Sequence, residues 1–215
     1  MSKKIFIFSA GPGGRDVLRI IDEINENLPT WEILGFVDKD PELIGQKLDG
    51  YQVYSHEDLP VSKDYYGICG VMDPQFRRKI VSTEIETKGY KLSTIIHPAI
   101  SHSSDFIASP GTVIFAGVHI SYNIQFGKSV LVCPNTVLGH DLRVGEYTSI
   151  MPSATISGKC KIGESCLIGS GAIINQGITV GKESLVGIGT TIIKDIPNKT
   201  SVTDFPRKVI RENTL

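Results

Sequence analysis

Residues 112–195 read TVIFAGVHISYNIQFGKSVLVCPNTVLGHDLRVGEYTSIMPSATISGKCKIGESCLIGSGAIINQGITVGKESLVGIGTTIIKD. Within this stretch a large aliphatic or Phe side chain returns every six residues without a miss: Ile114, Ile120, Phe126, Val132, Leu138, Val144, Ile150, Ile156, Ile162, Ile168, Ile174, Val180, Val186 and Ile192. In a chain that is 40% hydrophobic, fourteen matches at one period are not chance. Neither the 3.6-residue helical period nor the 2-residue strand period produces them. A fixed period of six marks a β-helix of hexapeptide repeats, each hexad one short strand and a turn.

The neighbouring columns agree. Two residues before the large side chain stand small or apolar residues, among them Thr136, Thr148, Ala154, Cys160, Cys166, Ala172 and Ser184, as a second inward strand position requires. Directly after it glycine recurs, at 127, 139, 145, 163, 169, 181 and 187, suited to a corner. This spacing resembles that of the left-handed parallel β-helix acyltransferases. The resemblance implies three hexads, hence eighteen residues, per triangular coil, and between four and five coils in the regular repeat.

The repeat occupies the second half of 215 residues and leaves a first domain of about 95. A net charge of −1, with no basic run interleaved with aromatics, removes the electrostatic reason to expect nucleic acid. The apolar run at the N-terminus stops after Phe8 with no cleavage pattern, and no stretch reaches the roughly 20 apolar residues of a membrane span. A cytoplasmic protein is expected. Cys69, Cys133, Cys160 and Cys166 lack C-x-x-C spacing, so neither a zinc site nor a disulfide framework is indicated, and Cys160 and Cys166 read as core.

In the first domain, Lys3 to Phe8 reads as a buried strand running into SAGPGG and an amphipathic helix with Val17, Ile20, Ile21 and Ile24 on one face. A strand, a glycine loop and a helix N-terminus together present backbone N–H groups to phosphate. Ser9 stands at the first glycine place of the dinucleotide fingerprint, so the loop fits a plain tight turn equally well. Ile33 to Val37 reads as a second strand ending at Asp38, about twenty-five residues on, where a ribose-binding carboxylate would sit. Further expectations are a strand at Tyr66 to Val71, a helix from Pro74 to Thr87 and a strand from Leu92 to Ile96 closing at His97-Pro98. Alternating strands and helices predict a small Rossmann-like parallel α/β sheet over 1–97, and the β-helix with a C-terminal cap over 98–215. Ligands of such sheets lie at the carboxyl ends of the strands, which gathers Gly11, Pro12, Gly13, Asp38, Lys39 and Asp73.

Within the repeat, His140-Asp141 follows Gly139 at a corner, where side chains point outward. The adjacent carboxylate can hold the imidazole basic. An imidazole, ordinarily titrating near pH 6.5, suits a base at neutral pH. One eighteen-residue coil along, the same corner is Gly158, whose bare N–H would lie beside the histidine. A base and an amide donor close together are what acyl transfer from a thioester requires.

The stretches FSAGPGGRDVLRII, GFVDKDPELIG, RRKIV, IIHPAI, GHDLRVG and SVTDFPRKVI, with the repeat, resemble those of the bacterial sugar acyltransferases. These join a nucleotide-sugar-binding α/β domain to a left-handed β-helix, and include sialic-acid O-acetyltransferase-like proteins and UDP- or GDP-amino-sugar N-acetyltransferases. The resemblance implies that His140 is the general base, Asp141 the residue that raises its basicity, and Gly158 the contact to the acetyl group. It further implies a homotrimer with acetyl-CoA in the intersubunit groove, at Ser149, Gly158, Ser170 and Ile188, and no metal. Departures fall on the acceptor side: Pro12-Gly13 replaces the first-loop Gly-His, and Met72-Asp73-Pro74 replaces Gly-Asp-Asn. Cys133-Pro134 stands where Asn-Thr is common before the histidine. Apolar residues expected to face outward for trimer contacts are Leu131, Val137, Leu167, Ile173 and Leu185, and Phe205, Val209 and Ile210 are expected to cap the last coil.

The expected function is acetyl-CoA-dependent N-acetylation of a nucleotide-linked amino sugar. O-acetylation of a sugar hydroxyl and a non-catalytic β-helix binding subunit are the alternatives. A γ-type carbonic anhydrase needs histidines clustered on a metal, but His119 and His140 are twenty-one residues apart and His56, His97 and His102 lie outside the regular repeat.

Overall fold

The computed structural model describes residues 2–204. The proposed cap at Phe205, Val209 and Ile210 lies outside them.

The apolar run at the N-terminus forms β1 (Lys3–Phe8), whose Ile5, Ile7 and Phe8 are at most 1% exposed. A strand so buried on both faces belongs at the centre of a parallel sheet. It pairs in parallel with β2 (Trp31–Val37) on one side and β5 (Tyr65–Cys69) on the other. Beyond β2 lie β4 (Tyr51–Tyr54), parallel to it, and β3 (Lys47–Leu48), which forms an antiparallel hairpin with β4; β6 (Lys91–Leu92) closes the opposite edge. Helix α1 (Pro12–Asn27) buries Val17, Leu18, Ile20 and Ile21 against this sheet, and Pro12 at its first position needs no hydrogen-bond partner. A Cβ on Gly14 would lie 1.8 Å from the Ser9 carbonyl oxygen, so only glycine lets α1 begin this close to the end of β1.

The second helix departs from expectation. Helix α2 (Pro74–Ile80) gives way to a π-turn at Val81–Ile85 and a 3₁₀ turn at Glu86–Lys88, ended by Gly89 at φ +78°. The wide turn brings both Ile85 and Glu84 inward, at 0% and 5% exposure.

The strand expected from Leu92 to Ile96 is split. Its first part is β6, while β7 (Ile95–Ile96) pairs with Val113–Ile114 and is already the first rung of the β-helix. The handover between domains therefore lies at Ser93-Thr94, ahead of the expected His97-Pro98. His97 itself holds Glu23 of α1 at 2.6 Å, which ties the two parts together.

From there the chain winds as a left-handed parallel β-helix. Each two-residue strand pairs in parallel with the strand eighteen residues on, as Gln125 does with Arg143 and Val137 with Thr155, giving three flat sheets. All fourteen hexad residues are at most 7% exposed, and Thr136, Thr148, Ala154, Cys160, Cys166 and Ala172 are fully buried beside them. The irregular first coil places Ile100 and Phe106 partly buried against this core.

Helix α1 lies on one of the flat faces. Ile20 and Ile21 share a cluster with Ile95, Val113, Phe115, Leu131 and Cys133, so Leu131 is covered by the first domain and is not an outward contact. The buried Arg77 of α2 joins the domains from the side. Its guanidinium donates to the carbonyls of Val71, Met72, Ser129 and Tyr147 and to Ser149 Oγ, at 2.7–3.1 Å. Burial among neutral acceptors pushes it down to about 10.

Candidate active site

The strand Val137–Leu138 ends at a corner made of Gly139, His140 and Asp141. A Cβ on Gly139 would lie 2.4 Å from the Gly158 nitrogen, so glycine permits the coils to stack here. Asp141 turns the corner at φ +56°, a left-handed conformation that Asp and Asn tolerate best among side-chain-bearing residues.

The eighteen-residue stagger then builds columns of side chains. In the first, Tyr122 of the preceding coil stacks on the His140 ring at 5.2 Å and 10°. On the opposite side the ring rests on Gly158, where a Cβ would meet Nε2 at 2.5 Å. The imidazole is thus held flat between an aromatic ring and a bare backbone. In the second column, Asn123 lies below Asp141 and donates from Nδ2 to its Oδ1 at 2.5 Å. Arg143 secures Asn123, donating to its carbonyl at 2.6 Å and to its Oδ1 at 3.0 Å.

The remaining oxygen of Asp141, Oδ2, lies 2.8 Å from His140 Nδ1. With Nδ1–H donating to that carboxylate, Nε2 carries the lone pair and is free to take a proton. The His140 bond first, and the Asn123 amide second, hold the Asp141 carboxyl below the usual carboxylate range. Asp141 therefore stays ionised at neutral pH and orients the imidazole. The side chains of His140 and Asp141 are 32% and 34% exposed, so a ligand can reach them. Gly158 is buried beneath the ring, and its N–H donates to no carbonyl among the described residues.

A sequence reading by pairs misses Tyr122, Asn123 and Arg143. Subtracting eighteen from 140 and 141 finds the first two. Because Asn123 itself has φ +54°, Asn123→Gly removes the amide while keeping the corner. It is expected to lower kcat about tenfold with little change in KM, since a loosened Asp141 weakens the orientation of the imidazole. Gly158→Ala pushes a methyl into the imidazole and is expected to cost about 10²-fold in kcat by displacing Nε2 on the order of 1 Å; stopped thiol-release assays measure both.

The other expected site residues are distributed unevenly. Ser170 and Ile188 share a corner one coil apart, where the Gly189 N–H donates to the Ser170 carbonyl at 2.9 Å and Ile188 is 71% exposed. That corner is not His140's, so within one chain these residues do not meet its imidazole. Ser149 is a correction. It is 0% exposed, receives Arg77 at 2.8 Å and bonds the Met72 carbonyl, so its hydroxyl serves the domain junction and not a cofactor.

In the first domain, Asp38 ends β2 and accepts from the Ala10 N–H at 2.7 Å on one oxygen and from Lys39 and Asp40 N–H on the other. The carboxylate thus ties the glycine loop to β2. A crevice of about 180 Å³ opens there, lined by Phe8, Ser9, Val37, Asp38, Lys39, Val71, Ile80 and Glu84. Gly11 stands open beside Ser9 and precedes Pro12 at the start of α1, whereas a Cβ on Gly13 would overlap the Gly70 carbonyl oxygen, so Gly13 serves backbone packing. Asp73 caps α2, accepting from Gln75 and Phe76 N–H at 2.9 Å, and does not line the crevice. Ser9, at the first glycine place of the fingerprint, adopts φ +103°, a strained backbone for serine.

All four cysteines are buried, and burial pushes Cys69 up to about 11 and Cys133 up to about 12, leaving no thiolate to act as nucleophile. Among the described residues no group of His, Cys, Asp and Glu is gathered to hold a metal, and no helix is long and apolar enough to cross a membrane.

Comparison with known proteins bears on the same assembly. The family described as C2185-like, N-terminal, matches residues 1–96. Curated protein sequences yield no match. Among solved structures, the acetyltransferase domain of PglB from Neisseria gonorrhoeae FA1090 superposes with a TM-score of 0.84 at 26% identity, covering 94% of this chain and 96% of that one; it has also been solved in complex with acetyl coenzyme A. By fold and by likeness the chain is an acyltransferase. PerB from Caulobacter crescentus, solved with CoA and GDP-perosamine, matches with a TM-score of 0.80 at 22% identity over 92% of each chain. WeeI from Acinetobacter baumannii AYE matches at 0.76 and 22% over 93% and 95%. At such identities PerB and WeeI support the fold of the enzyme and leave its site to be argued from its own residues.

Proposed function

We propose that this enzyme transfers acetyl from acetyl-CoA to the amine of a nucleotide-linked sugar, in a ternary complex, with His140 as general base. The observation that carries the reading is the His140 Nδ1 to Asp141 Oδ2 contact of 2.8 Å, which leaves Nε2 as the basic atom on an accessible corner. In the derived mechanism, Nε2 takes a proton from the acceptor amine as its nitrogen attacks the thioester carbon. The Asp141 carboxylate stabilises the imidazolium so formed. The Gly158 N–H is the candidate donor to the carbonyl oxygen as negative charge develops there, a contribution on the order of 10²–10³ in rate. Collapse of the tetrahedral intermediate expels the CoA thiolate, which takes up the proton held by the imidazolium.

The acceptor's nucleotide is assigned to the first-domain crevice. Ser9, at the start of the glycine loop, lines this crevice, and the sixteen-residue α1 begins three residues on without a side-chain cap, where backbone N–H groups favour phosphate. PerB, with CoA and GDP-perosamine bound, offers the precedent for both ligands on this architecture.

Ser170 and Ile188 lie at a different corner from His140, so a coenzyme touching both sets would bridge two copies of the chain. The exposed apolar Val137, Ile173, Leu185 and Ile188 supply contacts for such an assembly. A homotrimer is therefore part of the reading, and sedimentation equilibrium giving a stable monomer would remove the intersubunit groove.

The test of function is thiol release from acetyl-CoA in the presence of UDP-, GDP-, CMP- and dTDP-linked amino sugars. Release with one of them and not with its hydroxy-sugar counterpart supports amine transfer. Release only with hydroxyl acceptors moves the assignment to O-acetylation. No release with any acceptor favours a binding subunit.

A further inference from the structure

Glu84 takes no part in the chemistry described above, yet it is the most buried carboxylate of the first domain, its side chain 7% exposed. Among the described residues its carboxylate meets one partner, Lys39 Nζ at 2.6 Å, and Lys39 is 65% exposed. No backbone N–H among the described residues donates to it. A carboxylate removed from water and held by a single flexible ammonium has lone pairs left for a ligand.

Its position says which ligand. Glu84 lines the crevice at the ends of β1 and β2, and also the adjoining cavity of about 310 Å³ bounded by Ile44, Ser55, His56 and Thr83. In a nucleotide-binding α/β unit the phosphates lie at the glycine loop and the ribose at the carboxylate ending the second strand, here Asp38. A base carried past that point would lie along Val37, Val71 and Ile80, which line the crevice together with Glu84.

We infer that Glu84 is a specificity residue that selects a guanine nucleotide, its two oxygens receiving the N1–H and 2-amino N–H of the base. Guanine offers two parallel donors on one edge, which match a carboxylate as a bidentate acceptor. Uracil presents a single N3–H flanked by carbonyl oxygens that a carboxylate repels. Adenine and cytosine each pair a donor with a bare acceptor nitrogen on that edge. The incoming base replaces the Lys39 ammonium, whose long stem frees it to turn toward the diphosphate. This inference rests on the reading of the crevice as a nucleotide site.

The experiment is calorimetric titration of the full chain with GDP, IDP, XDP and UDP, for the wild type and for Glu84→Gln. GDP should bind about tenfold more tightly than IDP, which lacks the 2-amino group, and about 10²-fold more tightly than UDP. In Glu84→Gln the carboxamide accepts N1–H and donates to a 2-oxo group, so the order should invert to favour XDP over GDP. A merely structural partner of Lys39 would not produce that inversion. Equal GDP and IDP affinities in the wild type, or UDP binding best, overturn the inference and leave the nucleotide site standing. Binding of none of the four overturns the nucleotide site and the inference together. Should the variant not fold, the wild-type comparison of GDP with IDP decides alone.

Discussion

His140→Ala is expected to lower kcat for acetyl transfer by about 10²–10⁴, the range that a positioned general base supplies, with little change in KM for acetyl-CoA. The expectation follows from how completely the ring is fixed. Tyr122 stacks on one face, Gly158 supports the other, and Asp141 holds Nδ1, so rotation cannot bring any other atom to the place of Nε2. His140→Asn and His140→Gln should fall almost as far, because an amide at that place is no base. The decisive measurement is steady-state thiol release with a saturating acceptor. A fall of less than threefold would exclude His140 as the base and return the corner to a surface feature.

Arg77→Ala is expected to have the largest effect on stability, about 3–5 kcal/mol. The guanidinium satisfies four backbone carbonyls and the Ser149 hydroxyl in a junction where Arg77 is 1% exposed. Truncation leaves carbonyls of Ser129 and Tyr147 without a donor beside a cavity, and each buried unsatisfied group costs about 1–3 kcal/mol. For a chain of this size that lowers Tm by about 10 °C. Lysine does not rescue it, since an ammonium has three donors and no planar fork to reach three elements at once. Calorimetry should also show one transition separating into two, because Arg77 is a main tie between the α/β sheet and the β-helix. An unchanged single transition would mean that the apolar cluster under α1 suffices to couple the domains.

The β-helix was legible almost residue by residue, because a hexad must place the same kind of side chain at the same station of every coil. The strands β1, β2 and β5 were legible for a similar reason: a central parallel strand is apolar on both faces, whatever packs on it. The split at Ser93-Thr94 was not legible. Leu92 to Ile96 reads as one strand, and only the pairing of Lys91-Leu92 with β5 and of Ile95-Ile96 with Val113-Ile114 shows that two sheets share it. The π-turn at Val81–Ile85 was equally hidden, since one extra residue in a helical turn leaves no mark on composition and shows only in where Glu84 and Ile85 point.

At the corner, the pair His140-Asp141 and the stacking partner Gly158 could be counted from the repeat. The assignment of Ser149 could not be checked that way. Counting along coils gives a residue's height and face, but not what another domain lays over that face, and Arg77 arrives from 72 positions away. What the sequence by itself determined is thus everything set by periodicity: the coil, its core, and the neighbours one turn apart. What only the tertiary structure decided is everything set where one domain meets another or one loop closes on a second. This covers the burial of Leu131 and Ser149, the five-acceptor site of Arg77 and the inward turn of Glu84 at the crevice. Contacts within a repeat recur at fixed separation and can be read from one chain direction, whereas contacts between unlike elements depend on geometry that no local pattern encodes.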